Sequence, residues 1–435
     1  MRRRNAYFLS LAASTAAVCA FAGLDGSHVL PMDHEAILYS KSPVDDVVSR
    51  LQRKVASGEV TLDYDSTFGY LPSVLKHLQV PMSSQVLVFS KTSFQAPKIS
   101  PRMPRALYFN DEVSVGFVRG GDVLELAAVD PKQGIVFHIL DQEKTAKPQF
   151  DRQDQCLQCH ASGGTLGVPG LVVRSVFPDR TGMPVFQAGS FITDHRSPLT
   201  ERWGGWYVTG SHGEQRHMGN SFLSDQRNPE GFDRTSGANV SDLAGRIDTG
   251  AYLTPHSDIV ALMLLEHQTR MQNLITRVGW ETRMALHERE GMNKALGEPA
   301  GTMTESTVRR INSAVEELVR YMLFVEEAPL NGEVRGTSSF AEEYAKAGVR
   351  DKKGRSLRDL DLKTRLLRYP CSPLIYSRAF QELPERAKTQ AYLRLRQVLS
   401  GEDKGPAFAK LSAADRKALC EILGDTLPEF GKNAA

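Results

Sequence analysis

The segment Cys156-Leu157-Gln158-Cys159-His160 constrains this chain more than any other feature of its 435 residues. A C-x-x-C-H segment is the attachment signature of c-type haem, because two thiols at this spacing add to the two vinyl groups of one haem. The adjacent histidine then lies under the iron as its proximal ligand. The single copy therefore predicts one covalently attached haem c, with Cys156 and Cys159 as attachment residues and His160 as iron ligand.

The first 22 residues have the pattern of a secretory signal peptide. Arginines open the chain, an apolar run covers residues 7–21, and Ala20-Phe21-Ala22 offers a small-x-small cleavage site. A retained membrane anchor is the alternative, but the run is short for a span of about 20 residues. We expect residues 1–22 to be removed and the protein to be periplasmic or otherwise exported. Export agrees with the motif, since c-type haem is attached outside the cytoplasm.

Composition is that of an ordinary globular protein, with 41% hydrophobic and 24% charged residues and a formal net charge of +2. So small a charge gives no field that would attract nucleic acid. No segment after residue 22 is apolar enough to span a bilayer. The length exceeds that of a usual single domain. We assign residues 23–150 to N-terminal helices and a β-meander, 151–250 to a haem-binding region, and 251–435 to a helical C-terminal region.

The patterning predicts an α+β fold whose N-terminal half is rich in antiparallel β-structure. A first helix is expected from Ser42-Pro43 to Gly58. Four β-rich runs separated by turn residues then indicate an antiparallel meander: 106–109, 113–118, 123–129 and 135–140. A short helix opened by Asp151 is expected to carry the motif. A hairpin over residues 171–191 follows it.

The C-terminal half is predicted to be mainly α-helical. Thr254-Pro255 marks the start of a long helix that reaches about Arg289, and a second helix covers residues 307–325. Two more are expected: residues 384–399, and a helix opened by Ser412. Glu266 and His267 lie in the middle of the long helix, where such a pair is more often structural than part of a buried polar site.

The sequence constrains the distal ligand, on the other side of the iron, less than it constrains the proximal ligand. The downstream candidates are Met183, His195, His212, His217 and Met218. Met218 follows His160 by 58 residues, a separation similar to that in small cytochromes c, and it is the distal ligand that we predict. A methionine would raise the reduction potential and favour electron transfer, whereas an open position would permit ligand binding or peroxide chemistry.

The segment from Thr193 to Asn220 combines aromatic rings, glycines and arginines. Arg202-Trp203-Gly204-Gly205-Trp206 suits a loop wrapped around a flat macrocycle. Four arginines are then candidates for pairing with the haem propionates: Arg174, Arg196, Arg202 and Arg216. The alternative is a folded loop whose tryptophans fill a core and whose arginines are solvated.

Two cysteines lie beyond the motif. Cys371 and Cys420 either pair in an oxidising compartment or remain buried free thiols. Sequence alone does not give their separation, so both interpretations stay open.

Beyond the motif, three longer blocks resemble a group of long, largely uncharacterised bacterial cytochrome c-like exported proteins: Pro104–Asp111, Thr193–Gly210 and Tyr369–Ser372. The resemblance to c-type cytochromes implies haem binding and electron transfer, and it transfers no catalytic residue. The β-rich flanks depart from small helical cytochromes c. We expect an exported mono-haem electron carrier, more a carrier than a catalyst, that works with a redox partner protein. The alternative is a peroxidase-like haem enzyme or a haem-based sensor with an open distal site.

Overall fold

A seven-stranded antiparallel sheet is the frame of the N-terminal half. The computed structural model describes residues 29–403 and 405–432, and the predicted signal peptide lies outside them. In chain order the strands are β1 (Val86–Val88), β2 (Arg105–Phe109), β3 (Val113–Phe117), β4 (Val123–Asp130), β5 (Gly134–Asp141), β6 (Phe150–Arg152), β7 (Val173–Val176), β8 (Ser190–Thr193), β9 (Trp206–Tyr207), β10 (Gly210–Ser211) and β11 (Arg335–Gly336). The large sheet has the order β6-β5-β4-β3-β2-β1-β9, and two further pairs are β7-β8 and β10-β11.

Helices dominate the second half of the chain. In chain order they are α1 (Val47–Ser57), α2 (Leu71–His77), α3 (Leu157–His160), α4 (Ile259–Leu296), α5 (Glu305–Met322), α6 (Phe340–Lys346), α7 (Arg378–Gln381), α8 (Glu385–Ser400), α9 (Ala413–Thr426) and α10 (Pro428–Lys432). The α+β class, the antiparallel meander and the helical C-terminal half are therefore confirmed.

Alternation along the strands divides the sheet into two faces. On one face, Val115, Leu126 and Leu140 pack with α1 and α2 in one hydrophobic core. The helix α1 begins at Val47, later than the predicted start at Ser42-Pro43. Its cap is the buried Asp46, whose Oδ1 accepts from the backbone N–H groups of the first turn and which also lies 3.3 Å from His138. Gly58 ends the helix in the left-handed conformation, as predicted.

The 38-residue helix α4 joins the two halves of the chain. It begins at Ile259, whereas Thr254-Pro255 predicted an earlier start, and it continues past Arg289 to Leu296. The N-cap is Asp258, which is wholly buried. One carboxylate oxygen accepts from the N–H of Val260 at 2.8 Å, and the other accepts from the N–H of Thr337 at 2.8 Å. Asp258 therefore both starts the helix and fixes the β11 segment against it.

Cys371 and Cys420 are both free thiols. Cys371 lies in the large helical core, where burial raises its pKa to about 12. Cys420 packs at the edge of that core. Of the two interpretations of these cysteines, the structure supports the free thiols. In the described part of the chain, no helix combines the length and the apolar character needed to cross a membrane.

We expect Asp258→Ala to lower the free energy of unfolding by about 3 kcal/mol, because it removes a helix cap and leaves buried N–H groups without acceptors. The matched control is Thr304→Ala at the half-buried N-cap of α5, which we expect to cost about 1 kcal/mol. Urea unfolding followed by circular dichroism measures both. Equal losses in the two variants would contradict a special role for Asp258.

Candidate functional site

The motif segment follows the edge strand of the large sheet. The strand β6 leads into a single 3₁₀ turn, Asp154–Cys156, and then into α3, which ends at His160. Leu157 is the anchor of this short helix, since its buried side chain packs with Phe137 and Trp280. Cys156 is half-buried and Cys159 is exposed. A short helix therefore exists at the motif and carries Cys159 and His160, whereas Cys156 lies in the preceding 3₁₀ turn. Asp151, the predicted start of the helix, is instead part of strand β6, so that start was wrong.

His160 is held by two reciprocal contacts with Gly170. Its ring Nδ1 lies 3.0 Å from the carbonyl oxygen of Gly170, and the N–H of Gly170 donates to the carbonyl of His160 at 2.8 Å. A backbone carbonyl accepts only from a protonated nitrogen, so Nδ1 carries the proton and Nε2 has the free lone pair. Nε2 makes no hydrogen bond to the described residues. The imidazole ring also lies against Phe137, with ring centroids 4.9 Å apart.

Gly170 is positioned in turn by α4. The side chain of Asn273 accepts from the N–H of Leu171 at 3.1 Å and donates to the carbonyl of Leu171 at 2.7 Å. A side chain at position 170 would collide with the Asn273 carboxamide, so the backbone approaches α4 more closely than any residue but glycine allows. Asn273 is 2% exposed. The orientation of His160 therefore depends on a buried amide in the middle of the long helix.

The sheet presents its second face to this region. We call it the motif face and define it by Ser114, Gly116, Glu125, Ala127 and Phe137. The strand register places them side by side: Gly116 opposite Glu125, Ser114 opposite Ala127, and Ala127 opposite Phe137. Ser114, Glu125 and Ala127 are only half-buried, in contrast to the fully buried opposite face. Small residues thus leave a flat, partly open area beside Phe137.

Arg105 and Glu125 are the charged pair of this region. The Nε atom of Arg105 lies 3.2 Å from Oε2 of Glu125, and both side chains are about four-fifths buried, with 22% and 18% exposed. The Oε1 atom of Glu125 also accepts from the hydroxyl of Ser93 at 3.2 Å and from the amide of Gln95 at 3.1 Å. The pair is therefore fixed in place on the sheet.

Burial dominates the electrostatics of the motif. It raises the pKa of the Cys156 thiol to about 11 and lowers the pKa of His160. Glu125 and Arg105 act on both groups in opposite directions. A thiol with a raised pKa is a poor nucleophile at neutral pH, which disfavours a thiol–disulfide exchange centre. The neutral imidazole is the form that ligates metals.

Met218 lies in a different core. It is wholly buried with Phe177, Val185 and Phe232, and its sulfur accepts from the hydroxyl of Ser175 at 3.6 Å. The motif residue Leu157 belongs to a separate cluster. The fold therefore does not bring the thioether of Met218 and the ring of His160 into one packing cluster. Met183, another candidate for the distal ligand, lies at the surface with 49% of its side chain exposed.

The glycine-rich part of the segment 193–220 makes close backbone contacts. A side chain at Gly204 would collide with the carbonyl of Val176, and one at Gly205 would meet Ser90. Trp203 adopts a positive φ of 67° and is wholly buried in the core. Trp206 packs in the same core. The aromatic rings thus fill the protein interior, as the packed-loop alternative expects, and the glycines permit adjacent loops to touch.

The arginines of this segment are engaged by the protein itself, not solvated. Arg202 is buried and pairs with Glu266 at 3.1 Å, and Arg196 pairs with Asp194 at 2.8 Å. The guanidinium of Arg216 donates to the carbonyl of Gln215 at 2.8 Å. These contacts bind three of the four arginines that the sequence pattern had assigned to the propionates to acceptors of the protein itself.

His195, Glu266 and His267 meet in a wholly buried network. The Nδ1 atoms of His195 and His267 are 2.8 Å apart, and Nε2 of His267 lies 2.8 Å from the hydroxyl of Ser372. Burial lowers the pKa of His267 to about 3 and also lowers that of His195. Burial, opposed by the Arg202 guanidinium, raises the pKa of Glu266 to about 7. These neutral, enclosed histidines join the β8 segment to α4, so the pair in the long helix is part of a buried polar network.

His212 and His217 form a second buried pair, with ring centroids 4.7 Å apart. His212 accepts from the N–H of Asn239 through Nε2, and His217 accepts from the N–H of Gly219 through Nδ1. Both interactions need a neutral ring. Within residues 29–403 and 405–432, no group of three or more His, Cys, Asp or Glu side chains is arranged to hold a metal ion.

Sequence reasoning missed the residues that support the motif: Phe137, Gly170, Asn273, Arg105 and Glu125. The alternation of side chains along the strands could have identified part of this set. Once the strands of the meander are paired, residues 105 and 125 must lie on the same face of the sheet as residue 137. Nothing in the helical pattern of α4 distinguishes Asn273 from a solvent-facing polar residue. Its role depends on a contact between segments about 100 residues apart.

The buried histidines make stability depend on pH. Burial lowers the pKa of His217 to about 3 from its usual 6.5. The unfolded chain therefore binds an extra proton below 6.5, and the stabilising contribution is lost as the pH falls. We expect His217→Asn, which keeps an acceptor for Gly219, to reduce the loss of unfolding free energy between about pH 7 and about pH 5 by about 2 kcal/mol. Urea unfolding at each pH measures it, with the exposed His77→Asn as control; identical pH slopes in wild type and His217→Asn would contradict the assignment.

Comparison with known proteins gives no relative for this chain. Searches against models of protein families, against curated proteins and against solved structures found no match.

Proposed function

We propose that this protein is an exported mono-haem c-type cytochrome that transfers electrons. Cys156 and Cys159 would attach the haem, and His160 would be its proximal ligand. The observation that carries the proposal is the bond from His160 Nδ1 to the Gly170 carbonyl, which leaves the lone pair of Nε2 without a hydrogen bond to any residue that the structure describes. Metal-ligating histidines are held in this way, because the second-shell carbonyl fixes the tautomer and the ring orientation.

The residues present fit a haem in three respects. The two cysteines and the histidine lie on one short turn of chain. Burial lowers the pKa of His160 and so favours the neutral imidazole. The motif face offers the small side chains of Ser114 and Ala127 beside Phe137, a surface suited to a planar group. When bound, the haem supplies the one-electron chemistry, and the protein supplies attachment, orientation and charge.

Met218 remains the distal ligand we propose from sequence spacing. Its thioether is wholly buried and accepts from Ser175. Ligation would therefore require this side chain to leave its cluster, whereas the exposed Met183 is free of such a requirement. The distal position decides between an electron carrier and the alternative, a peroxidase-like enzyme or sensor that binds external ligands.

We further propose a redox partner protein and an extracytoplasmic location. Both rest on the motif and on the signal-peptide pattern of residues 1–22.

Covalent attachment is tested by expression with an export signal and the haem-attachment machinery, followed by haem staining on a denaturing gel. We expect the wild type to stain and the double variant Cys156→Ala/Cys159→Ala to lose the stain, because neither thiol of the motif remains to form a thioether. Cys420→Ala is the matched control and should stain like the wild type. An unstained wild type, or a stained double variant, would refute the c-type assignment.

Distal ligation is tested by absorption spectra of the reduced protein with and without carbon monoxide. We expect a low-spin, CO-indifferent wild type, and CO binding in Met218→Leu, which keeps side-chain volume and removes the sulfur. Met183→Leu is the control and should remain indifferent. CO binding by the wild type would favour the enzyme or sensor alternative, and CO binding only in Met183→Leu would move the ligand to that residue.

A further inference from the structure

Arg105 is paired with Glu125 by charge, yet its guanidinium donates no hydrogen bond within residues 29–403 and 405–432. A guanidinium has five N–H donors. The side chain of Arg105 makes no hydrogen bond to the described residues, and its Nε is buried without a hydrogen-bond partner, although Glu125 lies 3.2 Å away. The carboxylate therefore supplies charge without accepting a well-directed bond. A buried, unsatisfied donor of this kind is costly unless a further group completes it.

The sheet is built to hold this guanidinium flat. Gly116 on β3 lies directly beneath it, and a Cβ at that position would come within 2.9 Å of Nε. The neighbouring strand supplies Glu125 opposite Gly116. Arg105 thus lies across the motif face, held from the side by a carboxylate and from below by a residue with no side chain.

The position relative to the motif is set by the strand register. Gly116 is on β3 and Phe137 is on β5, two strands apart, which is about 10 Å across the sheet. The ring of Phe137 lies against the ring of His160. A haem has its two carboxylates on the edge away from its vinyl groups, so a haem attached at Cys156 and Cys159 would direct them away from the cysteines. Arg105 is on β2, three strands from β5, and its charge acts on both Cys156 and His160.

We infer that Arg105 binds a carboxylate of the haem and that Glu125 holds the guanidinium in place for it. The inference rests on the proposed function. A planar guanidinium matches a carboxylate with two parallel hydrogen bonds, which a lysine cannot reproduce. Arg196, Arg202 and Arg216, three of the four arginines that sequence patterning suggested for this role, bind acceptors of the protein itself.

Reduction of the haem adds one negative charge, so a fixed positive charge favours the reduced form and a fixed negative charge favours the oxidised form. We expect Arg105→Gln to shift the redox equilibrium about tenfold toward the oxidised form, which is about 59 mV for one electron. Glu125→Gln should shift it in the opposite direction. A variant that only disturbs packing would not reverse sign with the charge that is removed.

The experiment is a spectroelectrochemical titration of the holoprotein over a range of pH. Arg105→Gln should also make the midpoint potential more pH-dependent, because the haem carboxylate loses its cation and its pKa rises. The control Arg309→Gln removes the same charge from an exposed, distant pair on α5 and should leave the potential unchanged. Arg105→Lys keeps the positive charge but not the two parallel hydrogen bonds of the guanidinium, so it should shift the midpoint potential less than Arg105→Gln does. It also serves as the test variant if Arg105→Gln does not fold.

Each outcome distinguishes the inference from the proposed function. Absence of covalent haem in the wild type refutes the proposed function itself. Covalent haem with an unchanged potential in both Arg105 variants overturns only the inference. Shifts of the same sign in Arg105→Gln and Glu125→Gln also overturn it. So does a shift that appears only in buffers with added acetate or phosphate, since it would assign Arg105 to a free anion.

Discussion

The arrangement of the motif depends on the contact between His160 and Gly170. A helix of four residues has no stability of its own, because isolated helices below about 12 residues are marginal even in favourable sequences. The reciprocal bonds of His160 and Gly170 replace that missing stability, and Leu157 anchors the same turn in the core. Through Asn273, this contact is tied to α4, so the motif is held by the longest helix of the protein and not by its own turn.

The helix α4 therefore determines more than the C-terminal packing. It is buried over most of its length, and its N-cap and three of its buried polar side chains are bound to other segments: Asp258 to the β11 segment, Glu266 to Thr193, His267 to Ser372, and Asn273 to Leu171. Buried polar groups must be paired, so each of these bonds specifies one position of its partner along α4. The helix α4 thereby fixes the positions of the motif loop, the β8 segment and the segment around Ser372 relative to one another.

Local patterns predicted what local interactions decide. The meander followed from β-rich runs and turn residues, and the end of α1 followed from Gly58. The errors occurred where distant segments meet. Asp46 and Asp258 start their helices because each also binds another part of the chain, so Ser42-Pro43 and Thr254-Pro255 were wrong starts. Gly204 and Gly205 looked suited to a macrocycle, yet they are required by Val176 and Ser90, which no periodicity in the segment reveals.

The same burial gives the candidate site its charge properties. Removing Cys156 and His160 from water penalises the charged form of each, which raises the pKa of the thiol and lowers that of the imidazole. In such a site a single nearby charge acts strongly, since little solvent screens it. Arg105 and Glu125 act with opposite signs, so together they leave the site nearly neutral while placing a cation at one defined point. The fold thus separates two tasks: α4 orients the imidazole, and the sheet positions the charge.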